Sequence, residues 1–230
     1  MLYIKAMEVL ILKNDFKYIL FDLDGTITDS GEGITKAVQY SLKHFAILVD
    51  DINDLRKFVG PPLRDSYKNF YGFDDEKADI GLIKFREYYV DKGIYENRLY
   101  DGIIELLDKL NKNGKIILLA TSKPEVYAKK ILKYFKIDKH FTFVAGSDLE
   151  ETRVKKGDVI KYALEGAKIS DLANAIMIGD REHDIIGARE NNIKSIGVVY
   201  GYGDLEELTK AKADYIVNNI SEVLDILIGD

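Results

Sequence analysis

Asp22 and Asp24 stand two residues apart in Phe21-Asp22-Leu23-Asp24-Gly25-Thr26, and Ile27-Thr28-Asp29-Ser30 follows. Two carboxylates at that spacing, next to a glycine and a threonine, set a negatively charged pair beside backbone amides freed by a turn. Such a pair can hold Mg²⁺ while one carboxylate attacks a phosphorus centre and the other moves a proton. Gly25 and Thr26 are the candidate phosphate-binding groups of this turn. Asp-Gly pairs also make ordinary turns, so the pair by itself leaves both readings open.

Three further segments carry matching chemistry. Thr121-Ser122-Lys123-Pro124 offers hydroxyls, an ammonium and free helix-start amides to phosphate oxygens, although a plain helix cap reads the same way. Lys156, in Arg153-Val154-Lys155-Lys156-Gly157-Asp158, can neutralise a phosphate and orient an attacking carboxylate. Lys155 is its rival for that position, and a solvated surface run is the plainer meaning. Gly179-Asp180-Arg181-Glu182-His183-Asp184 supplies two acids four residues apart, Asp180 and Asp184, which suits a metal ion as well as an acidic helix start.

The elements that must position these residues can be read from hydrophobic periodicity. Tyr18–Phe21, Ile116–Ala120, Phe141–Ala145, Ala175–Ile178 and Ser195–Val199 are apolar runs, with a weaker one at Tyr215–Val217. They read as buried strands of a parallel sheet. Between them, Ile103, Leu106, Leu107 and Leu110 share one helical face, with Asp101 as the expected N-cap and Gly114 at the stop. Ala128, Ile131, Leu132 and Phe135 share another, after Pro124 in a first turn. Alternating strands and helices predict a doubly wound, Rossmann-like α/β core with right-handed crossovers. More than 90 residues separate Asp22 from Lys115, too many for one crossover, so a helical module is expected in that gap. The expected division is a core of 1–30 and 99–230 with an α-helical cap domain at 31–98. Each chemical segment ends or follows a core strand, and in such a sheet those ends meet at one edge.

Composition bounds the function. The 230 residues carry 39 acidic and 33 basic side chains, a formal charge of −6, with 47% hydrophobic and 31% charged residues. A packed core is feasible, and no overall charge draws the chain to a nucleic acid polymer or an anionic membrane. Zero cysteines exclude disulfides, thiolate zinc sites and cysteine nucleophiles. Met1–Leu12 is apolar but interrupted by Lys5 and Glu8 and lacks a small-residue cleavage site, so it makes a poor signal peptide and the expected location is cytoplasmic. Gly201 and Gly203 lack the spacing of a dinucleotide fingerprint, which excludes NAD binding.

Taken together, the four segments resemble the haloacid dehalogenase-like hydrolase superfamily, whose signature runs D-x-D-G-T, then Thr or Ser after a strand, then Lys, then G-D-x-x-x-D. The resemblance covers residues 17–228 and extends to a helical cap inserted after the first motif, as in the phosphoglycolate phosphatase-like branch. Thr28-Asp29-Ser30-Gly31-Glu32-Gly33, Ala120-Thr121-Ser122-Lys123-Pro124, Met177 to Ala188 and Tyr200-Gly201-Tyr202-Gly203 are similar to bacterial 5′-nucleotidase-like members. The resemblance implies Asp22 as nucleophile, Asp24 as the acid and base, Thr121 and Lys156 at the phosphoryl group, and a Mg²⁺ site of Asp22, Asp24 through its carbonyl, Asp180 and Asp184. Dehalogenases of the superfamily lack an aspartate at the position of Asp24, so its presence favours phosphoryl chemistry. Many relatives carry prolines after the lysine; here Gly157-Asp158 follows.

The expected activity is a Mg²⁺-dependent phosphomonoesterase acting on a small phosphorylated metabolite, a nucleoside 5′-monophosphate first and phosphoglycolate next. A sugar phosphomutase, an inorganic pyrophosphatase and a catalytically silent phosphate-ligand binder are the alternatives. In the cap, Gly60-Pro61-Pro62-Leu63-Arg64 could present Arg64 to an anion, and nine aromatics from Tyr67 to Tyr100 could stack on a base or simply fill the cap core. A monomer is the default expectation, with a dimer as the alternative.

Overall fold

The computed structural model describes residues 16–149 and 152–229; the apolar Met1–Leu12 stretch lies outside them. Eight strands are found there: β1 (Tyr18–Phe21), β2 (Thr28–Asp29), β3 (Arg98–Leu99), β4 (Ile116–Pro124), β5 (Phe143–Ser147), β6 (Ala175–Gly179), β7 (Lys194–Val198) and β8 (Tyr215–Val217). Six of them form one parallel sheet in the order β5-β4-β1-β6-β7-β8. From β1 the chain first builds outward through β4 and β5, then returns to the other side of β1 for β6, β7 and β8. The carboxyl end of β1 therefore sits where the strand order reverses, the place where doubly wound sheets bind ligands.

Apolar side chains on both faces explain why the core strands are apolar throughout. Ile19, Phe21, Ile117, Leu119, Ile176 and Ile178 pack into one layer, and Leu20, Leu118, Ala120 and Met177 into the other. Each fully buried aliphatic or aromatic side chain contributes about 1.5–3 kcal/mol. The flanking helices of the core are α4 (Ile103–Lys112), α5 (Glu125–Tyr134), α6 (Lys156–Gly166), α7 (Glu182–Glu190), α8 (Leu205–Ala211) and α9 (Ile220–Ile228); the three that precede them, α1 (Gly31–His44), α2 (Leu63–Tyr71) and α3 (Asp75–Tyr89), form the inserted module. The expected doubly wound α/β architecture is thus observed.

Local expectations differ at three points. β5 begins at Phe143, because Phe141 closes a 3₁₀ turn at Asp138–His140. Gly102, in the left-handed region at φ 88°, takes the cap position of α4 in place of Asp101. Pro124 ends β4 and caps α5 rather than lying within its first turn. Within the gap expected to be helical, Ile52–Phe58 forms a 3₁₀ helix started by Asp51, whose carboxylate accepts from the Asn53 amide.

The inserted module leaves and rejoins the core through a two-stranded antiparallel ribbon, with Thr28 opposite Leu99 and Asp29 opposite Arg98. Arg98 reaches the Asp29 Oδ2 at 2.7 Å, and the Tyr202 hydroxyl donates to Asp29 Oδ1 (2.6 Å) while accepting from the Gly31 amide (2.7 Å). Inside the module, Leu42, Phe58, Tyr67, Phe85 and Tyr89 are buried, and Tyr67 stacks on Phe73. Most of its aromatics are therefore core, and that core is continuous with one face of the sheet. Among the described residues no helix is long and apolar enough to cross a membrane.

Candidate active site

Asp22 is the first residue after β1, fixed by its amide donating to the Ile178 carbonyl of β6 at 2.9 Å. Lys156 opens α6 and is buried, with Nζ 2.8 Å from Asp22 Oδ1, 2.8 Å from Asp184 Oδ1 and donating to the Ala120 carbonyl at 3.1 Å. Lys155, at the cap position, is exposed, so the geometry brings Lys156 and not its rival into the cluster. Burial works against this ammonium, but Asp184 and Asp22 outweigh it and hold its pKa above the ordinary lysine range.

Asp22, Asp180 and Asp184 each offer a carboxylate oxygen, and these oxygens all lie within 4.8 Å of one another. All three residues are buried. Three carboxylates against one ammonium leave two negative charges, the charge a divalent cation cancels. Burial, reinforced by the charges of Asp184 and Asp22, pushes the Asp180 carboxyl well above the usual range, and burial also raises Asp184 against the pull of Lys156. The donor set is hard oxygen throughout, so the residues fit Mg²⁺ or a similar ion. Asp180 is aimed by Thr26 Oγ1 (3.3 Å) and by the Tyr202 amide (2.8 Å). Gly25 is required beside it: φ is +83°, and a Cβ there would collide with the Asp180 carboxylate.

Asp24 turns its carboxylate away from that trio. Its Oδ2 pairs with Lys123 Nζ at 3.0 Å, while Oδ1 is buried without a hydrogen bond. Thr121 is buried on β4 at an irregularity, where the register with β5 shifts between Ala120 and Pro124. Such bulges re-aim side chains beside active sites. Thr121 Oγ1 accepts from the Lys123 amide at 3.3 Å, and Ser122 lines the adjoining cavity.

Three expected phosphate-binding side chains have other partners. Thr26 gives its hydroxyl to Asp180 and its carbonyl to the Tyr200 hydroxyl. Lys123 is bound by Asp24 and by Tyr89 of α3, whose hydroxyl accepts from Nζ at 2.7 Å. Arg64 pairs with Asp79 at 2.8 Å and stays outside the cavity, which Arg86 of α3 lines instead. Neither Tyr89 nor Arg86 stood out in the sequence, since only the seating of α3 brings them to the sheet edge. His183 is exposed.

The cavity between module and core is about 90 Å³, walled by Asp24, Ser122 and Lys123 on one side and by Pro61, Phe85 and Arg86 on the other. Small-ligand sites usually offer about 300–1,000 Å³. Arg181 ties the module to the core: Nη1 donates to the Val59 carbonyl at 2.9 Å while Nε pairs with Glu207 at 2.8 Å. Gly60, at φ +103°, lets the loop pass close over the Arg181 side chain.

The chain belongs to the haloacid dehalogenase-like hydrolases, whose family model matches residues 19–198 and so spans the strand-end segments that converge on the site. Phosphatase chemistry on phosphoric monoesters is the activity class this membership supports. A relative from Pseudomonas aeruginosa described as a 5′-nucleotidase is 40% identical over 209 residues, 91% of this chain and 94% of its own. The tyrosine-protein kinase PtkA of Mycobacterium tuberculosis is 34% identical over 201 residues, 87% of this chain and 68% of its own. A crystal structure titled a predicted phosphatase from Clostridium acetobutylicum superposes with a TM-score of 0.89 at 50% identity, covering 91% of this chain and 97% of that one.

Proposed function

We propose that this protein hydrolyses small phosphomonoesters through an aspartyl-phosphate on Asp22, with Mg²⁺ held by Asp22, Asp180, Asp184 and the Asp24 carbonyl. The observation that carries the reading is the buried Asp22 carboxylate, 2.8 Å from Lys156 Nζ and within the cation-sized group of oxygens. Asp22 attacks phosphorus as the ester P–O bond breaks, and Asp24 gives a proton to the departing oxygen. Water then attacks the aspartyl-phosphate, Asp24 takes its proton, and phosphate leaves. Lys156 holds Asp22 in place by their ion pair and offsets charge on the phosphoryl oxygens, and Thr121 and Ser122 stand beside them. When bound, the cation lowers the repulsion between Asp22 and a dianionic phosphate. The closed module keeps bulk water from the site.

For the substrate, a nucleoside 5′-monophosphate is favoured by the 5′-nucleotidase likeness and by the aromatic and cationic cavity wall of Phe85, Tyr89 and Arg86. The division into a core of 1–30 and 99–230 and a cap of 31–98 belongs to the same reading, with the β2–β3 ribbon as the hinge. Phosphate release should be measured on nucleoside monophosphates, phosphoglycolate, sugar phosphates and pyrophosphate, with and without Mg²⁺. The expected result is Mg²⁺-dependent release, greatest on nucleoside monophosphates and reduced by about 10³-fold or more in Asp22→Asn. Asp22→Asn turning over as fast as the parent chain would remove Asp22 from the nucleophile role.

A further inference from the structure

Lys123 is a buried ammonium whose partners are not those its expected phosphate-binding role would give it. Its side chain is 6% exposed and that of Asp24 9%. A charge so placed persists only with partners, and Lys123 has two: Asp24 Oδ2 at 3.0 Å and the Tyr89 hydroxyl at 2.7 Å. The β4 irregularity between Ala120 and Pro124 aims Lys123 at this position. Tyr89 is the last residue of α3, so it comes from the inserted module and arrives only when that module is seated. With Oδ2 fixed, the torsion of the Asp24 carboxyl is fixed too. The other oxygen, Oδ1, is buried and has no hydrogen bond, which is how an acceptor is left when a reacting group is to use it.

We infer that Lys123 and Tyr89 are positioning residues for Asp24: they clamp Oδ2 so that Oδ1 is the oxygen exchanging the proton with the leaving group, and the clamp is complete only with α3 closed. This rests on the phosphomonoesterase reading and deepens it. In the step concerned, Asp22 forms its bond to phosphorus, the ester P–O bond breaks, and the proton on Asp24 Oδ1 passes to the departing oxygen. The water that attacks the acyl phosphate later returns a proton to the same oxygen. The arrangement couples closure to proton transfer through two side chains, neither of which touches the phosphoryl group.

The dependence on leaving group separates this role from a structural one. An alkoxide needs a proton as it departs, whereas p-nitrophenolate does not, so misplacing Asp24 penalises alkyl phosphates selectively. The full chain with Mg²⁺ would be assayed on a nucleoside 5′-monophosphate and on p-nitrophenyl phosphate, as the parent and as Tyr89→Phe, Lys123→Met and Lys123→Arg. The ratio of kcat on the alkyl to kcat on the aryl ester should fall about tenfold in Tyr89→Phe and about 10²-fold in Lys123→Met, with partial recovery in Lys123→Arg. Tyr89→Phe and Lys123→Arg keep the ring and the charge, so the test stands on them even where Lys123→Met fails to fold. Equal losses on both esters, or a change in KM alone, would overturn the clamp while leaving the hydrolase reading in place. A parent chain that releases phosphate from neither ester overturns the hydrolase reading and the clamp with it.

Discussion

Asp180 bears the largest electrostatic burden in the site, fully buried next to Asp184 and Asp22 with no ammonium of its own. Burial and those two charges raise its carboxyl above the ordinary 3.8, so the cation-free fold keeps a proton that the unfolded chain releases. Stability of the cation-free protein should therefore fall as pH rises from about that ordinary value through the raised one. Cation binding must displace the same proton, so Mg²⁺ affinity is expected to rise with pH and binding to release protons. Calorimetric titration in two buffers of different ionisation enthalpy measures both effects. Affinity that does not change as pH rises above the ordinary carboxylate range would contradict them. The positions of Asp22, Asp180 and Asp184 were legible in the sequence because each lies on or just beyond a strand end, and strand ends of a doubly wound sheet converge. The partners of Thr26, Lys123 and Arg64 were not, because they depend on side chains from elements remote in sequence: Asp180, Tyr89 and Asp79.

Among the elements, the loop after the 3₁₀ turn Ile52–Phe58 is tied to the core by a guanidinium. Arg181, one residue beyond Asp180, spans the gap with one nitrogen on the Val59 carbonyl and another on Glu207. Replacing it by methionine keeps much of the apolar stem over Gly60 and removes both polar ties. In Arg181→Met, amide hydrogen exchange in residues 52–62 is expected to speed up by about tenfold, in line with one lost charge-assisted hydrogen bond, while β1, β4 and β6 stay protected. Faster exchange spread evenly through the sheet would show that Arg181 supports the core rather than the module. The core strands were readable because burial on both faces makes them apolar end to end. The termini were less so: Gly102 displaces Asp101 as a cap because the chain turns there through a left-handed conformation, and β5 starts late because a 3₁₀ turn uses Phe141. The long gap before Lys115 announced an insert, yet nothing in its amphipathic pattern could tell which face would meet the site.

For the whole molecule, core and inserted module share one apolar cluster, running from Ile19 and Phe21 through Phe58 and Tyr67 to Leu227. Two bodies joined by that much buried surface should unfold together, so a single thermal transition is expected. The acidic trio gathers three buried carboxylates, and a ligand that binds only the folded form stabilises it by mass action. At a Mg²⁺ concentration 100 times its Kd the gain is about 2.7 kcal/mol. For a chain of this size that corresponds to a rise in Tm of about 5–10 °C. The rise should vanish with a chelator and in Asp180→Asn, which removes a ligand charge while keeping the side chain's shape. Asp180→Asn also removes a charge that burial beside Asp184 and Asp22 disfavours in the cation-free protein. Scanning calorimetry with and without Mg²⁺ distinguishes the outcomes. A Tm unmoved by Mg²⁺ in the parent chain would mean that Asp22, Asp180 and Asp184 do not form a cation site, whereas a rise that survives in Asp180→Asn would place the binding elsewhere on the molecule.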